Sequence, residues 1–511
     1  MPTNITFTED QITGLFGELA AEDEEIVRFK SSFFKSSTYA KIHNERPLRI
    51  LVAHKGVGKS ALFRMSYEEN ISNNVLTLWI RPNDIADLCQ VSEDENPLSL
   101  IEKWKSGLNS RIVELVMQKF QVDTDSDLAN AAIQKGVDLI DKITTIIKGV
   151  EDKIDIEKSK QLVVKKYIVN HKVVIYIDDL DRAWEGTTNN IKRIAALLNA
   201  VRDLTNAYPC LHFRISLRSD VYFLVRTADE STDKIEGNVI WLSWTEHELL
   251  VFLAKRVQSY LGNKLSENAL IKKPQFEIAK ELYPIMESHF MGEGKWNNKP
   301  IHYILLSLTR RRPRDLINLC TQAAREACDN HHSKISTDDW EAIFSRYSQN
   351  RLQDTINEHR YELPDIRRLL LGMKPSHDQR KLSGSHKYTE EQLIRKISGI
   401  MQNSDFVFAN GQIATEKELL TFMYKINFLV ARKDLADGYI DRKYFEDNNY
   451  LSTENIEFGY DWEVHPAFRW ALWCAPRQVD SEIIYILRMK ILPAYHMVLG
   501  AMQPVDGHGL P

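Results

Sequence analysis

The stretch LRILVAHKGVGKS, residues 48–60, decides the fold of this chain. It joins a run of apolar residues to a glycine-containing turn that ends in Lys59 and Ser60. The apolar run predicts a buried strand, and the pattern after the turn predicts a helix. A strand that leads through such a turn into a helix is the setting in which backbone amides bind phosphate. The stretch therefore predicts a phosphate-binding loop, hereafter the P-loop, at Ala53–Ser60.

The P-loop matches the pattern G-x-x-x-x-G-K-[ST] at Gly58, Lys59 and Ser60, but Ala53 stands where the first glycine usually lies. Gly56 and Gly58 let the backbone turn its amides inward. Lys59 can reach the β- and γ-phosphates of a nucleotide, and the Ser60 hydroxyl can ligate Mg²⁺. We therefore predict that the chain binds ATP and Mg²⁺. The predicted nucleotide-binding residues are Ala53, His54, Lys55, Gly56, Val57, Gly58, Lys59, Ser60 and Ala61.

A second apolar run ends in carboxylates, VVIYIDDLDR at residues 173–182. A central strand of this kind brings Asp178 to its carboxyl end, the edge of an open α/β sheet at which ligands bind. We predict that Asp178 holds Mg²⁺ together with Ser60, and that Asp179 orients or deprotonates the attacking water. Asp179 stands where a longer glutamate is often found, which argues against a role as base. For the motif as a whole, the alternative is a set of solvated acids at the end of a strand.

Strand-like runs alternate with helical patterns over the first half of the chain, at residues 48–54, 75–80, 172–177, 211–220 and 238–244. This alternation predicts an α/β fold, a P-loop NTPase with a mostly parallel sheet, followed by a helical lid and a winged-helix-like C-terminal domain. The predicted units are an N-terminal helical segment at 1–46, an ATPase core at 47–245 with a helical insertion near 92–170, the lid at 246–373, a linker at 374–390, the winged-helix-like domain at 391–500 and a disordered tail at 501–511.

The apolar strand ending in IDDLDR (Ile177–Arg182), downstream of the P-loop, resembles the KAP-type and related STAND and AAA-like ATPases. The resemblance covers roughly residues 10–345 and implies one extra strand between the two nucleotide-binding motifs. RISLRSD (Arg214–Asp220) is similar to the strand that carries a polar sensor residue in such ATPases. RRRPRDLINLCTQAAREA (Arg310–Ala327) resembles the lid helix with a second sensor arginine in origin-recognition-like ATPases. Proteins with these motifs are common in bacterial anti-phage and mobile-element systems.

The resemblance assigns roles to four arginines. Arg218 is the predicted strand-end sensor, and Arg314 is predicted to reach the γ-phosphate from the lid. Arg182 and Arg226 are candidates for fingers that act across a subunit boundary. Surface exposure or local salt bridges are the alternatives for all four. The predicted catalytic residues are Lys59, Asp178, Asp179, Arg218 and Arg314.

Three aromatic residues, Phe33, Phe34 and Tyr39, precede the strand that leads into the P-loop. Related ATPases often hold the adenine at this place, so the resemblance makes the three candidates for the base site. Packing in the hydrophobic core is the alternative.

Composition and charge describe an ordinary globular protein. The chain carries 66 basic and 71 acidic side chains, a net charge of −5, so a nucleic-acid surface would have to be a local patch. Its five cysteines form no C-x-x-C pair, which indicates reduced thiols rather than zinc or redox chemistry. No apolar run reaches the roughly 18 residues of a spanning helix, and the acidic N-terminus does not match a signal peptide. We expect a cytoplasmic protein with no membrane partner.

Residues 415–475 resemble a winged-helix module, with a helix, β-like pieces and a closing HPAFR. In related ATPases such a module binds DNA or serves as a protein-contacting spacer. Its basic residues are interspersed with acidic ones, which favours a structural or protein-contact role. These basic residues are Arg432, Lys433, Arg442 and Lys443. The more basic candidates for a DNA surface are Arg310, Arg311, Arg312 and the loop Arg380–Lys387.

The leading hypothesis is a Mg²⁺-dependent ATPase that acts as an oligomeric switch or motor, binds ATP between subunits and passes work to a protein partner or effector. A setting in bacterial anti-phage defence follows from the resemblance alone. One alternative is an ATP-dependent DNA-binding protein that resembles origin-recognition ATPases, with nucleic acid as the partner. Another is a nucleotide-gated scaffold with little turnover, which the short Asp179 and the Ala53 substitution favour.

Overall fold

The computed structural model describes ten stretches of the chain. They are residues 5–85, 96–122, 172–182, 184, 186–228, 230–293, 296–376, 386–435, 440–448 and 460–473. Most of the predicted insertion near 92–170, the middle of the predicted linker and the predicted tail at 501–511 lie outside these residues.

A five-stranded sheet lies at the centre of the N-terminal half, and all its strand pairs are parallel. Its strands are β1 (Leu48–Ala53), β2 (Leu76–Ile80), β3 (Val173–Ile177), β4 (Leu211–Arg218) and β5 (Val239–Trp241). Their order across the sheet is β2-β3-β4-β1-β5. Strand β4 therefore separates β1, which leads into the P-loop, from β3, which leads into the acidic motif. This confirms the predicted extra strand and the α/β fold class.

Helices cover both faces of this sheet because its strands are apolar on both sides. The helices of this half are α1 (Glu9–Phe16), α2 (Ile26–Ser32), α3 (Ser37–Ile42), α4 (Lys59–Ser72), α5 (Pro97–Val122), α6 (Thr188–Ala207) and α7 (Ser219–Ala228). One face packs against α5 and α6 through side chains such as Trp104 and Leu197. The other face packs against α4 and the N-terminal helices through Phe63 and Phe29. The buried sheet thus fixes the loops at its carboxyl edge.

The lid is helical, as predicted. Its helices are α8 (Glu246–Tyr260), α9 (Glu267–Ile271), α10 (Gln275–Ile278), α11 (Ile301–Leu308), α12 (Pro313–Asp329), α13 (Thr337–His359) and α14 (Ile366–Gly372), with a short antiparallel pair, β6 (His289–Phe290) and β7 (Lys299–Pro300). Thr245 begins α8 with a reciprocal capping box to Glu248. Side chains of α1, including Phe16, share the hydrophobic core of the lid. The N-terminal helices therefore connect the lid to the sheet.

The described part of residues 386–473 forms the C-terminal module, with three helices and a four-stranded antiparallel sheet. Its elements are β8 (Lys387–Tyr388), α15 (Glu390–Met401), α16 (Glu416–Lys425), β9 (Leu429–Asp434), β10 (Ile440–Lys443), β11 (Asp461–Val464) and α17 (Arg469–Leu472). This is the winged-helix-like arrangement expected from the sequence. Strand β8 pairs with β11, so the module begins inside the stretch predicted as a linker, 374–390.

Across the described ranges we find no helix with the length and apolar character needed to cross a membrane.

Candidate nucleotide-binding site

The P-loop connects the end of β1 to the start of α4. Its two glycines have left-handed backbone angles, with φ +81° at Gly56 and +104° at Gly58. A Cβ atom on Gly56 would lie 3.3 Å from Cβ of Arg314, so the lid leaves little room for any side chain there. The first-turn amides of α4, from Lys59 onward, have no acceptor inside the helix. This backbone geometry is typical of an anion-binding nest.

Lys59 lies over the P-loop. Its Nζ atom donates to the carbonyl oxygens of Ala53, at 3.2 Å, and His54, at 3.4 Å. Burial lowers the pKa of Lys59, and the negative charges of Asp181 and Asp178 partly oppose this shift. The ammonium group is thus held at the P-loop and close to the acidic motif.

Asp178 follows β3 directly and is buried. Its Oδ1 atom accepts a hydrogen bond from the backbone amide of Asp179, at 3.0 Å, and one from the hydroxyl of Ser216. Ser216 lies on β4, the strand between the P-loop strand and the acidic strand. Strand β4 therefore orients the carboxylate that is predicted to hold Mg²⁺.

Asp179 lies exposed on the floor of a cleft, and its backbone is left-handed, with φ +57°. Partial burial in the cleft and the charges of Asp178 and Asp181 raise the pKa of Asp179 to about 6. Asp181, which also lines the cleft, has a raised pKa mainly because it is buried. A non-glycine residue in this backbone region is uncommon and often marks a functional site.

The cleft encloses about 460 Å³ between the P-loop, the lid and the N-terminal helices. This volume falls in the range that small-molecule sites occupy, roughly 300–1,000 Å³. Its lining includes charged residues such as Lys59 and Asp179. It also includes an apolar set: Phe29, Phe33, Phe34, Leu242, Trp244 and Ile317. A ligand that has both charged groups and a flat apolar part fits this lining.

Two of the three aromatic candidates lie where the sequence places them. Phe33 and Phe34 line the cleft. Tyr39 does not line it. Its ring packs against Phe33 and its hydroxyl donates to Glu69 on α4. Tyr39 is therefore a core residue that supports the cleft wall from behind.

Arg218 ends β4 and lines the cleft, as predicted for a strand-end sensor. Its guanidinium group donates to both oxygens of Asp220, at 3.0 and 2.6 Å, and to the backbone oxygen of Glu358, at 3.0 Å. It also lies 3.6 Å from Asp181. Although burial acts to lower the pKa of Arg218, these carboxylates raise it. Arg218 thus links the floor of the cleft to the end of α13.

The other predicted arginines differ in position. Arg314, in the first turn of α12, lines the cleft, packs on Gly56 and donates from Nε to the oxygen of Leu19 at 3.2 Å. Arg182 lines the cleft as well. Arg226 is not among the lining residues and pairs with Glu236 at 3.2 Å. Arg314 and Arg182 are therefore placed to contact a ligand in the cleft, whereas Arg226 forms its ion pair outside the cleft.

Further cleft residues were not predicted from the sequence. Trp244, just before α8, donates from Nε1 to the oxygen of Val57 at 2.8 Å and so holds the P-loop from the side. Arg256 on α8 forms a buried ion pair with Glu24 at 2.9 Å and also lines the cleft. These contacts join residues about 190 to 230 positions apart, so no local sequence pattern could reveal them.

The outer side of the P-loop contacts the rest of the chain. The amide of Lys55 donates to Oε1 of Glu358, at 3.3 Å, and its oxygen accepts from Arg312, at 3.1 Å. Arg312 and Glu358 also pair with each other at 3.3 Å. The side chain of His54, which we included among the nucleotide-binding residues, is buried and does not line the cleft. The contact between His54 and Lys59 is made by the backbone oxygen of His54.

The three consecutive arginines do not form the exposed basic surface considered from the sequence. Arg310 is 3% exposed and binds Asp315, while Arg312 is 2% exposed and binds Glu358. Arg311 pairs with Asp447 of the C-terminal module. Their charges are compensated inside the protein, because a buried arginine without a carboxylate partner would be very costly. The prediction that these three side chains form an exposed basic surface for DNA is therefore wrong.

Several of the remaining basic candidates are also paired, whereas Lys433 is exposed and lies 5.7 Å from the centre of the Tyr460 ring. Residues 380–385 lie outside the described residues, His386 is buried, and Lys387 pairs with Asp434 and Asp461. Arg432 and Arg442 both bind the buried carboxylate of Glu463. Most of this positive charge therefore serves to hold the sheet of the C-terminal module together.

The strand order and the P-loop together define an α/β P-loop nucleotide-binding fold, in which one strand separates the P-loop strand from the acidic strand. Three comparisons with known proteins extend this description. Residues 248–356, which span most of the lid, match the family described as the FunZ-associated C-terminal helical domain. Over 435 residues the chain is 23% identical to the putative transposon gamma-delta 80.3 kDa protein of Escherichia coli K12. That match covers 76% of this chain and 60% of the length of the relative.

Three solved structures align with the chain at low similarity. The ORC2 protein of Aeropyrum pernix, in ADPNP-ADP complexes, is 11% identical with a TM-score of 0.38, over 83% of this chain and 85% of that one. Cdc6p of Pyrobaculum aerophilum is 12% identical with a TM-score of 0.29, over 87% and 95%. Drosophila ORC bound to DNA is 10% identical with a TM-score of 0.29, over 89% and 91%. Alignments with such low scores do not indicate the function of this chain.

Proposed function

We propose that the chain is a Mg²⁺-dependent ATPase that binds its nucleotide in the cleft beside the P-loop. The observation that carries this proposal is the cleft itself. Its lining combines the glycine turn of the P-loop and the acidic residue Asp179 with the aromatic side chains Phe33, Phe34 and Trp244. A nucleoside triphosphate carries matching groups, a polyanion and a flat base.

Each group of lining residues has a defined role in this proposal. The amides of the P-loop and the ammonium group of Lys59 bind the phosphates. Phe33, Phe34 and Trp244 pack on the base. Ser60 and Asp178 hold Mg²⁺, which usually takes one or two protein oxygens together with the phosphates. Bound Mg²⁺ neutralises the negative charge of the phosphates.

Hydrolysis requires a group that activates or orients water. Asp179 is exposed to the cleft, and its raised pKa brings it close to the pH at which a carboxylate accepts a proton effectively. Arg218 and Arg314 supply positive charge from the sheet and from the lid. Arg314 lies on the lid, and Arg218 contacts the end of α13. A change in the phosphates of the bound nucleotide would therefore alter the contacts of the lid.

We further propose that the ATPase acts as an oligomeric switch. Arg182 is exposed and lines the cleft of its own chain, so a role as a finger in a neighbouring subunit rests on the sequence resemblance. The name of the E. coli relative places that protein on a transposon, which supports a mobile-element setting for this chain. The effector or protein partner, and an anti-phage role, are parts of this proposal that rest on the sequence resemblance alone.

Phosphate release from ATP tests the enzymatic part. Lys59→Ala should reduce turnover at least about a hundredfold, since one charged donor to the transition state is lost. Asp179→Asn should reduce turnover by roughly 10²–10⁴ with little effect on ATP affinity, because it removes only the base. Lys30→Ala, which breaks a surface pair with Glu68, serves as the control and should match the wild type. Turnover that is insensitive to Lys59→Ala contradicts the proposal.

A second candidate function is a nucleotide-gated scaffold with little turnover. The short Asp179 at the base position favours it. The same assay separates the two, because the scaffold binds ATP through Lys59 and releases no Lys59-dependent phosphate. The mass of the protein in solution, with and without ATP and Mg²⁺, tests the switch. A nucleotide-dependent assembly supports the switch, and a constant monomer contradicts it.

A further inference from the structure

His54 joins the P-loop to the C-terminal module, which lies almost 400 residues further along the chain. The imidazole is 3% exposed. Its Nδ1 atom lies 3.0 Å from the hydroxyl of Ser219 at the start of α7, and its Nε2 atom lies 2.8 Å from Oε1 of Glu446. The P-loop therefore has one side facing the cleft and an opposite side fixed by another part of the fold.

Glu446 is held rigidly by its own module. It lies on a short 3₁₀ helix, Phe445–Asn448, that follows β10. Its Oε1 atom accepts a hydrogen bond of 2.6 Å from Nδ2 of Asn427, a buried residue with left-handed backbone (φ +57°) between α16 and β9. Burial acts to raise the pKa of Glu446, but the charge of His54 and the surrounding hydrogen bonds outweigh it and lower the pKa to about 2. At neutral pH this carboxylate is ionised and fixed in position.

The same short segment also contacts the lid. Asp447 pairs with Arg311 at 2.9 Å, and the Arg311 guanidinium group lies 4.2 Å from the centre of the Tyr444 ring. Arg311 immediately precedes the turn into α12, the helix that carries Arg314 to the cleft. Residues Tyr444–Asp447 thus contact both the P-loop and the base of the lid helix.

We propose that Glu446 is a positioning residue of the nucleotide site, which acts through His54 to fix the P-loop so that nucleotide affinity depends on docking of the C-terminal module. This inference rests on the proposed binding of ATP in the cleft. Its physical basis is preorganisation: a P-loop that is already held in its binding conformation loses less conformational entropy when it binds phosphate. By linkage, a nucleotide that prefers the fixed P-loop must in turn stabilise the docked module by the same factor.

A double-mutant cycle tests the route through His54. Titration calorimetry with ATP and Mg²⁺ on the full chain should show about fivefold weaker binding for Glu446→Gln, a factor that corresponds to about 1 kcal/mol. His54→Asn should weaken binding similarly. The double variant should bind ATP about as well as the single variant with the lower affinity, because both changes break the same contact between His54 and Glu446. Effects that multiply, or a Glu446→Gln protein that binds like the wild type, overturn the inference.

Two further variants keep the test independent of general damage. Asp461→Asn removes a carboxylate of the same module that pairs with Lys387 at the sheet edge, so its ATP affinity should stay within about twofold of the wild type. Asn427→Gly keeps the left-handed backbone and Glu446 itself but removes the amide that holds the carboxylate, and should weaken binding in part. If Asn427→Gly binds like the wild type, the positioning role is refuted even where Glu446→Gln folds poorly.

Hydrogen exchange of the full chain gives the reciprocal measurement. ATP with Mg²⁺ should slow exchange of the amides in Phe445–Asn448 in the wild type, and this protection should shrink in His54→Asn. Unchanged exchange in the wild type at saturating ATP overturns the inference while leaving the proposed ATP binding intact. A wild-type protein that does not bind ATP at all refutes both proposals, so the two failures are distinguishable.

Discussion

Replacement of Trp244 by phenylalanine isolates one hydrogen bond that holds the P-loop. The indole Nε1 atom donates to the oxygen of Val57 at 2.8 Å, and Val57 is 5% exposed. Phenylalanine keeps an aromatic ring against Phe34 and Phe252 but leaves this carbonyl without its donor. An unpaired buried carbonyl costs about 1–3 kcal/mol. We therefore expect the free energy of unfolding to fall by about 2 kcal/mol, and ATP affinity to fall by up to roughly 30-fold if the P-loop is loosened.

Trp241 provides the matched control. Its Nε1 atom is buried and finds no acceptor among the residues that the structure describes, while its ring packs on Tyr222 and Phe223. Trp241→Phe makes the same change in ring size without the loss of a hydrogen bond, so it should cost less than about 1 kcal/mol. Urea unfolding and ATP titration of both variants give the comparison. Equal losses in the two variants refute the view that Trp244 holds the P-loop through its indole N–H.

Three more perturbations test other parts of the account. The kcat/KM for ATP should fall as the pH drops below about 6, the raised pKa of Asp179 in the free protein, because the base becomes protonated; a profile of kcat/KM against pH checks this, and Asp179→Asn should lack that limb. Arg256→Met should reduce the free energy of unfolding by about 3–5 kcal/mol because it removes the close partner of the buried carboxylate of Glu24, whereas Arg28→Met, 3.9 Å from the same carboxylate but more exposed, should cost less than about 1 kcal/mol in urea unfolding. The folded pKa of Glu446 lies below its ordinary 4.5, so its stabilisation is present above that pH and is lost as the pH falls towards about 2; acid unfolding of Glu446→Gln should be correspondingly less steep in this window.

Local chemistry explains why the P-loop and the acidic strand were predictable. Gly58, Lys59 and Ser60 define the loop through their own backbone and side chains, and the apolar run before Asp178 fixes both a strand and its exit. The resemblance to KAP-type and related ATPases then implied an extra strand between the two motif strands, and the sheet confirms it as β4. The motifs themselves need only neighbouring residues to be interpreted correctly.

The supports of the cleft were not predictable because they depend on distant pairs. Arg310, Arg311 and Arg312 look like a basic patch in the sequence, yet their partners are Asp315, Asp447 and Glu358. Asp315 lies on α12 itself, close to Arg310 in the sequence. The packing of α13 and the C-terminal module against α12 brings Glu358 to Arg312 and Asp447 to Arg311. The same reasoning applies to His54, whose side chain looks like part of the P-loop motif but binds Glu446 on its outer side.

The most direct test of the central claim is the affinity of the full chain for ATP in the presence of Mg²⁺, measured by titration calorimetry for the wild type and for Lys59→Ala. The cleft geometry predicts one site per chain in the wild type, with affinity lowered at least about tenfold when the Lys59 ammonium group, a charge-assisted donor, is removed. Wild-type binding that is absent, or that Lys59→Ala leaves unchanged, would contradict the assignment of the cleft as the nucleotide site.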